Sequence, residues 1–101
     1  MKLLVTGGAG HIGLAAAQAL VELGATTAIL DQNRQACLER VDTLSNIRDD
    51  SAIAVECDLT DEKATREAIQ RTACELGSLD ILVHCAAFVG TTEFPGWGVP
   101  F

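Results

Sequence analysis

The stretch LLVTGGAGHIGLAAAQAL, Leu3 to Leu20, decides how the rest of the chain is read. A short apolar run breaks into four glycines within seven residues (Gly7, Gly8, Gly10 and Gly13), after which apolar residues resume at helical spacing. Glycine is costly inside an ordinary helix or strand, so a cluster this dense implies that something approaches the backbone closely. Two overlapping patterns run through it: G-x-G-x-x-G at Gly8, Gly10 and Gly13, and T-G-x-x-G-x-x-G at Thr6, Gly7, Gly10 and Gly13. Each alone is a weak signal. The context strengthens them: a strand before, a helix after, and an acid, Asp31, eighteen residues beyond Gly13 at the end of the next apolar run.

The chemistry of that combination is anion binding. A turn without side chains lets backbone N–H groups reach a pyrophosphate, and a helix starting near His11 adds the positive end of its dipole. Asp31 would accept hydrogen bonds from ribose hydroxyls and repel a 2′-phosphate, which favours NAD over NADP. The plain alternative is that the glycines serve only a tight turn and that Asp31 caps the following helix.

Outward from this stretch the chain alternates strand and helix without a linker. Lys2–Thr6 reads as the first strand. His11 to Leu23 reads as a helix with Ile12, Ala16, Ala19, Leu20 and Leu23 on one face, ended by Gly24 as a C-cap glycine. Thr26–Leu30 is the second strand. Asn33 to about Arg48 carries a stripe of Cys37, Val41, Leu44 and Ile47. Ala52–Cys57 is the third strand, and Thr60 is the expected N-cap of a helix running to Leu76 and stopping at Gly77. Leu79–Ala87 is the fourth strand, apolar enough to be buried on both faces. This period predicts an α/β fold with right-handed crossovers and a parallel sheet with flanking helices. A dinucleotide-binding glycine turn after its first strand would make it Rossmann-type, of order 3-2-1-4, the first half of a doubly wound fold. Residues 1–88 form the expected dinucleotide-binding half-domain and 89–101 a loop or tail.

Composition narrows the function classes. The 101 residues suffice for one small domain, and 49% are hydrophobic, enough for a core. Seven basic against fourteen acidic residues leave a net charge of −7 with no basic patch, which argues against nucleic acid and anionic membranes as partners. No apolar run approaches a membrane span and no signal-peptide core develops after MKLLV, so a cytoplasmic protein is expected. Cys37, Cys57, Cys74 and Cys85 fit no zinc spacing and read as reduced thiols packed as small hydrophobes; no metal site is expected.

These motifs together resemble the short-chain dehydrogenase/reductase superfamily over essentially the whole chain. VTGGAGHIG looks like its opening glycine motif, with a spacing closer to the epimerase/dehydratase branch, because His11 stands where the short branch usually has Gly. AILDQN matches the second-strand acid and VECDLTD the third-strand motif, whose Asp58 and Leu59 the resemblance places at the adenine ring. LDILVHCAAF occupies the fourth-strand position, with His84, Cys85, Ala86 and Ala87 in place of Asn-Asn-Ala-Gly. The resemblance implies NAD as cofactor, with Gly7, Gly10, His11, Ile12, Gly13, Asp31, Gln32, Asp58, Leu59, Cys85, Ala86 and Ala87 around it. It also implies hydride transfer at a carbinol or carbonyl carbon, on a small alcohol, a sugar or a sugar nucleotide.

Such enzymes use a Tyr-x-x-x-Lys pair, and this sequence has no tyrosine and only Lys2 and Lys63 as lysines. No catalytic residue can therefore be assigned, and the 101 residues read as the N-terminal portion of a longer dehydrogenase-type protein, inactive alone. A non-catalytic dinucleotide sensor or interaction module is the competing class. A flavoprotein is disfavoured by the Thr6-Gly7 opening and the Asp58-Leu59 pair. Of the single residues that invite a role, His84 is expected to be structural, and Arg34 solvated rather than a 2′-phosphate ligand. The fourth strand would leave an apolar unpaired edge, a route to self-association.

Overall fold

The computed structural model describes residues 1–85. Seven elements follow in strict alternation: β1 (Lys2–Thr6), α1 (His11–Glu22), β2 (Thr26–Asp31), α2 (Arg34–Ser45), β3 (Ala52–Glu56), α3 (Glu62–Leu76) and β4 (Ile81–His84). The strands form one parallel sheet of order β3-β2-β1-β4, the expected topology. Lys2 pairs with Thr26 at the start of β1, Leu3 with Ile81 of β4, and Thr27 of β2 with Ala52 of β3. All carboxyl ends therefore share one edge, where Thr6, Asp31, Glu56 and His84 lie.

Alternate residues of the central strands face opposite layers. Leu3, Val5 and Ile29 pack with Ala17 and Val21 of α1 and with Cys37 and Leu44 of α2. Leu4, Ala28 and Leu30 pack on the other side with Ala68 and Leu76 of α3. Two helices thus cover one face and one helix the other.

Several local expectations are corrected. The buried stripe of α1 is Gly13, Ala17 and Val21, whereas Ile12 and Leu23 are 78% and 79% exposed. This helix is apolar nearly all round, so periodicity could not choose its face. Gly13 chooses it, because a Cβ there would lie 2.6 Å from the Gly7 carbonyl oxygen. The end of α1 is as expected: Gly24, at φ +98°, donates to Val21, and Ala25 to Leu20, a Schellman closure. The α3 N-cap is Asp61, which accepts from the Ala64 N–H, and not Thr60. Thr60 is bound to Asp58 instead.

Among the described residues the fourth strand starts at Ile81 rather than Leu79, runs to His84 and is not buried on both faces; Ala86 and Ala87 lie outside the described residues. Ile81 and Val83 pack on the α1/α2 side, while Leu82 is 60% exposed on the other. The physical reason is position: β4 pairs only with β1 among the described residues, and α3 does not extend over it. Cys37 and Cys57 are buried as expected, but Cys74 is exposed on α3. The boundary at residue 88 and the segment 89–101 lie outside the described residues. Among the described residues no helix is long and apolar enough to cross a membrane.

Candidate dinucleotide site

The site is built at the carboxyl edge of the sheet. The chain runs from β1 outward to β2 and β3, then returns to the opposite side of β1 as β4, so the strand order reverses between β1 and β4. Crevices outside the carboxyl ends of strands at such a reversal are where open parallel sheets bind ligands.

The loop after β1 enters this crevice. Gly7 takes φ +69°, which favours glycine, and its N–H donates to Leu30 at 2.9 Å, folding the loop back over β2. The Gly10 N–H closes a tight turn on the Gly7 carbonyl at 3.1 Å. The four glycines then divide by role. A Cβ at Gly8 would lie 2.8 Å from Ile29 Cγ2, and one at Gly13 2.7 Å from the Gly8 Cα, so both serve the packing of the chain against itself. Gly10 is different, for a Cβ there meets nothing nearer than the Gly7 oxygen at 3.4 Å. The tight turn thus runs from Gly7 to Gly10, Gly8 and Gly13 are held by packing, and a side chain at Gly10 would meet only the Gly7 oxygen.

Gly10 is also the N-cap of α1 and offers no side chain to its first-turn N–H groups. Asn33 and Asp61 do so for α2 and α3. Uncapped N–H groups with an aligned dipole suit an anion. His11 and Ile12 lie exposed on that first turn.

Asp31, half-buried at the end of β2, accepts from the Gln32 N–H through Oδ1 at 2.8 Å and from the Ala9 N–H through Oδ2 at 3.4 Å. It does not cap α2; Asn33 does, through the Ala36 N–H. A carboxylate has about four lone-pair sites, so two remain unused among the described residues. Gln32 itself is exposed, and its backbone serves Asp31. The ladder extends from β2 to the Cys57 N–H, which donates to the Asp31 carbonyl at 2.9 Å and brings Asp58 to the same edge. The Thr60 hydroxyl and then its N–H hold the Asp58 carboxyl below the usual range. Leu59 is half-buried against the α3-side core, so only its outer part can face a ligand.

On the β4 side, Thr6 Oγ1 and His84 Nδ1 share a hydrogen bond of 2.7 Å, and the Cys85 N–H donates to the Thr6 carbonyl at 2.9 Å. His84 is thereby tied to the neighbouring strand. Cys85 is half-buried; Ala86 and Ala87 lie outside the described residues. Beneath Asp31, burial and then the Asp31 charge push the Cys37 thiol up to about 11, so it stays a neutral packing group. Arg34 is exposed, as expected.

Three participants were not legible in the sequence: the Ala9 peptide, the Thr6 hydroxyl, and Arg40, whose Nε donates to the Ala9 carbonyl at 3.1 Å. Each acts across a separation in sequence that carries no local pattern, 31 residues for Arg40 and Ala9, and 78 for Thr6 and His84.

A parallel α/β sheet with a glycine turn and an acid at its switch point defines a dinucleotide-binding protein. A family model for short chain dehydrogenases matches residues 2–96, and the chain belongs to that family. A short chain dehydrogenase/reductase of Macrophomina phaseolina is 34% identical over 86 residues, covering 85% of this chain and 49% of its own length. The 15-hydroxyprostaglandin dehydrogenase (NAD(+)) of Mus musculus is 37% identical over 86 residues, covering 82% of this chain and 31% of its own. A solved NAD+-bound xylitol dehydrogenase superposes with a TM-score of 0.76 at 34% identity, covering 80% of this chain and 31% of that one. The chain thus spans between 31% and 49% of the length of these relatives. The cofactor that fold and family specify is a nicotinamide dinucleotide, NAD or NADP. The relatives named here are dehydrogenases and reductases; the epimerase-like glycine spacing remains a feature of the sequence.

Proposed function

We propose that this chain binds NAD in preference to NADP and supplies the cofactor-binding unit, residues 1–88, of an oxidoreductase. The observation that carries the preference is Asp31, with two lone-pair sites left at the crevice and a charge that repels a 2′-phosphate. Gly7, Gly10 and the first turn of α1, His11 to Gly13, would take the pyrophosphate, and exposed Ile12 offers an apolar contact beyond it. Asp58 and Leu59 would flank the adenine; Cys85, Ala86 and Ala87 would line the side toward β4. The bound nicotinamide would supply or accept a hydride at a carbinol or carbonyl carbon. The names of the relatives, a hydroxyprostaglandin and a xylitol dehydrogenase, support an alcohol or carbonyl substrate. No residue of this chain is assigned as acid or base, in keeping with the absence of tyrosine.

The test is calorimetric titration of the folded chain with NAD and with NADP. Binding of NAD, weakened at least about tenfold in Asp31→Ala as expected for hydrogen bonds to a charged acceptor, supports the reading. Equal affinity for both cofactors, or no loss in Asp31→Ala, overturns it.

Two further parts of the reading concern setting. A cytoplasmic location is supported by the family and by buried thiols, Cys37 and Cys57. Self-association through the outer edge of β4 is supported by exposed Leu82 beside unpaired strand backbone among the described residues.

A further inference from the structure

We infer that Arg40 is a positioning residue that sets the orientation of the Ala9–Gly10 peptide, and with it the anion-binding turn. This rests on the dinucleotide reading above. Arg40 lies two turns into α2, half-buried, and its Nε donates to the Ala9 carbonyl oxygen at 3.1 Å. The other group of the same peptide, the Gly10 N–H, is held by the Gly7 carbonyl at 3.1 Å. The preceding peptide is held at its Ala9 N–H by Asp31. Two successive peptide planes are thus fixed by three different anchors, and only Arg40 comes from a helix across the loop.

The need for such an anchor follows from the flanking residues. Gly8 and Gly10 have no side chain to bias rotation of the planes between them, and a Cβ at Gly10 would meet only the Gly7 oxygen, at 3.4 Å. Without a donor on the Ala9 carbonyl, the Ala9–Gly10 plane could turn and carry the N-cap of α1 with it. The ion pair found among the described residues is Glu62–Arg66, so the Arg40 guanidinium is directed to a backbone oxygen rather than to a carboxylate. A half-buried arginine whose Nε is given to one loop carbonyl is a positioned side chain, since Arg heads are normally solvated or paired with acids.

Asp31 and Arg40 then have separable tasks: Asp31 selects the ribose and Arg40 shapes the phosphate turn. Arg40→Met keeps the apolar stem and removes the donor; Arg40→Lys restores a donor at similar reach. Calorimetry with NAD and NADP, adenosine titrations followed by NMR, and amide hydrogen exchange at Ala9 and Gly10 test the assignment. The expected result is an about tenfold loss of NAD affinity in Arg40→Met, an unchanged NAD-to-NADP ratio, unchanged adenosine binding, and recovery of most of the loss in Arg40→Lys. Faster exchange at Gly10 accompanies the loss. Equal losses for adenosine and NAD would show a merely structural role, and a changed NAD-to-NADP ratio would show direct contact with the ribose end; either overturns the inference, as does wild-type affinity in Arg40→Met. If the unaltered chain binds neither cofactor, the dinucleotide reading fails on its own. The exchange data then decide: faster Gly10 exchange in Arg40→Met upholds the positioning role, and unchanged exchange overturns it.

Discussion

At the scale of single residues, the glycines of the β1–α1 loop separate into those the fold requires and one it leaves free. Gly13→Ala would drive a Cβ to 2.6 Å from the Gly7 oxygen and 2.7 Å from the Gly8 Cα, backbone atoms that cannot move without shifting α1. Denaturant unfolding should show a loss of about 2 kcal/mol, as for overpacked core sites. Gly10→Ala meets only ordinary contact at 3.4 Å, so stability should fall by no more than about 1 kcal/mol, the cost of a poorer N-cap. NAD affinity should nevertheless drop at least about tenfold, because the methyl group enters the space the anion needs. A Gly10→Ala protein that binds as tightly as the unaltered chain would move the ligand away from this turn. The motif itself was readable, but the division of labour within it was not. It depends on Ile29 and on Gly7 meeting Gly8 and Gly13 in space.

At the scale of elements, helix ends were readable where a residue type acts on its own backbone, and ambiguous where two candidates stand side by side. Gly24 and Gly77 end α1 and α3 at φ +98° and +85°, as their positions implied. At the start of α3, Thr60 and Asp61 are both good capping residues, and the choice falls to Asp61 because Asp58 captures the Thr60 hydroxyl at 2.7 Å. Asp61→Ala should therefore cost about 1 kcal/mol in thermal or denaturant unfolding. Thr60→Val should leave the helix intact and act on Asp58 instead. Its carboxyl, held low by the Thr60 hydroxyl and N–H, should titrate closer to 3.8 in an NMR pH series. The sign follows: a depressed folded-state value contributes stability above the unfolded value and loses it as pH falls through the folded one, so Thr60→Val should flatten the acid side of the stability profile.

At the scale of the whole molecule, the two faces of the sheet are unequal. Two helices close one face over Leu3, Val5 and Ile29, whereas α3 alone lies over Leu4, Ala28 and Leu30 and leaves Leu82 largely exposed. An apolar side chain beside unpaired strand backbone favours pairing with another chain. Sedimentation should find the unaltered chain associated and Leu82→Lys monomeric, since a lysine on an edge strand opposes pairing with another chain. A monomeric unaltered chain, at every concentration used for the cofactor titrations, would exclude association through β4.

The order of elements, the parallel sheet, the strand sequence 3-2-1-4 and the location of the glycine turn and Asp31 were determined by the sequence alone. The elements rest on local rules, the period of apolar residues and capping chemistry. The parallel sheet rests on the right-handed crossover, and the order 3-2-1-4 on the dinucleotide-binding motif, which singles it out among the orders that crossover allows. Tertiary structure alone decided which face of α1 is buried, which glycines are packed, how exposed β4 is, and that Arg40 meets the Ala9 carbonyl and Thr6 meets His84. Those outcomes depend on contacts between residues far apart in sequence, where close approach of backbones and the pairing of polar groups outweigh any local preference.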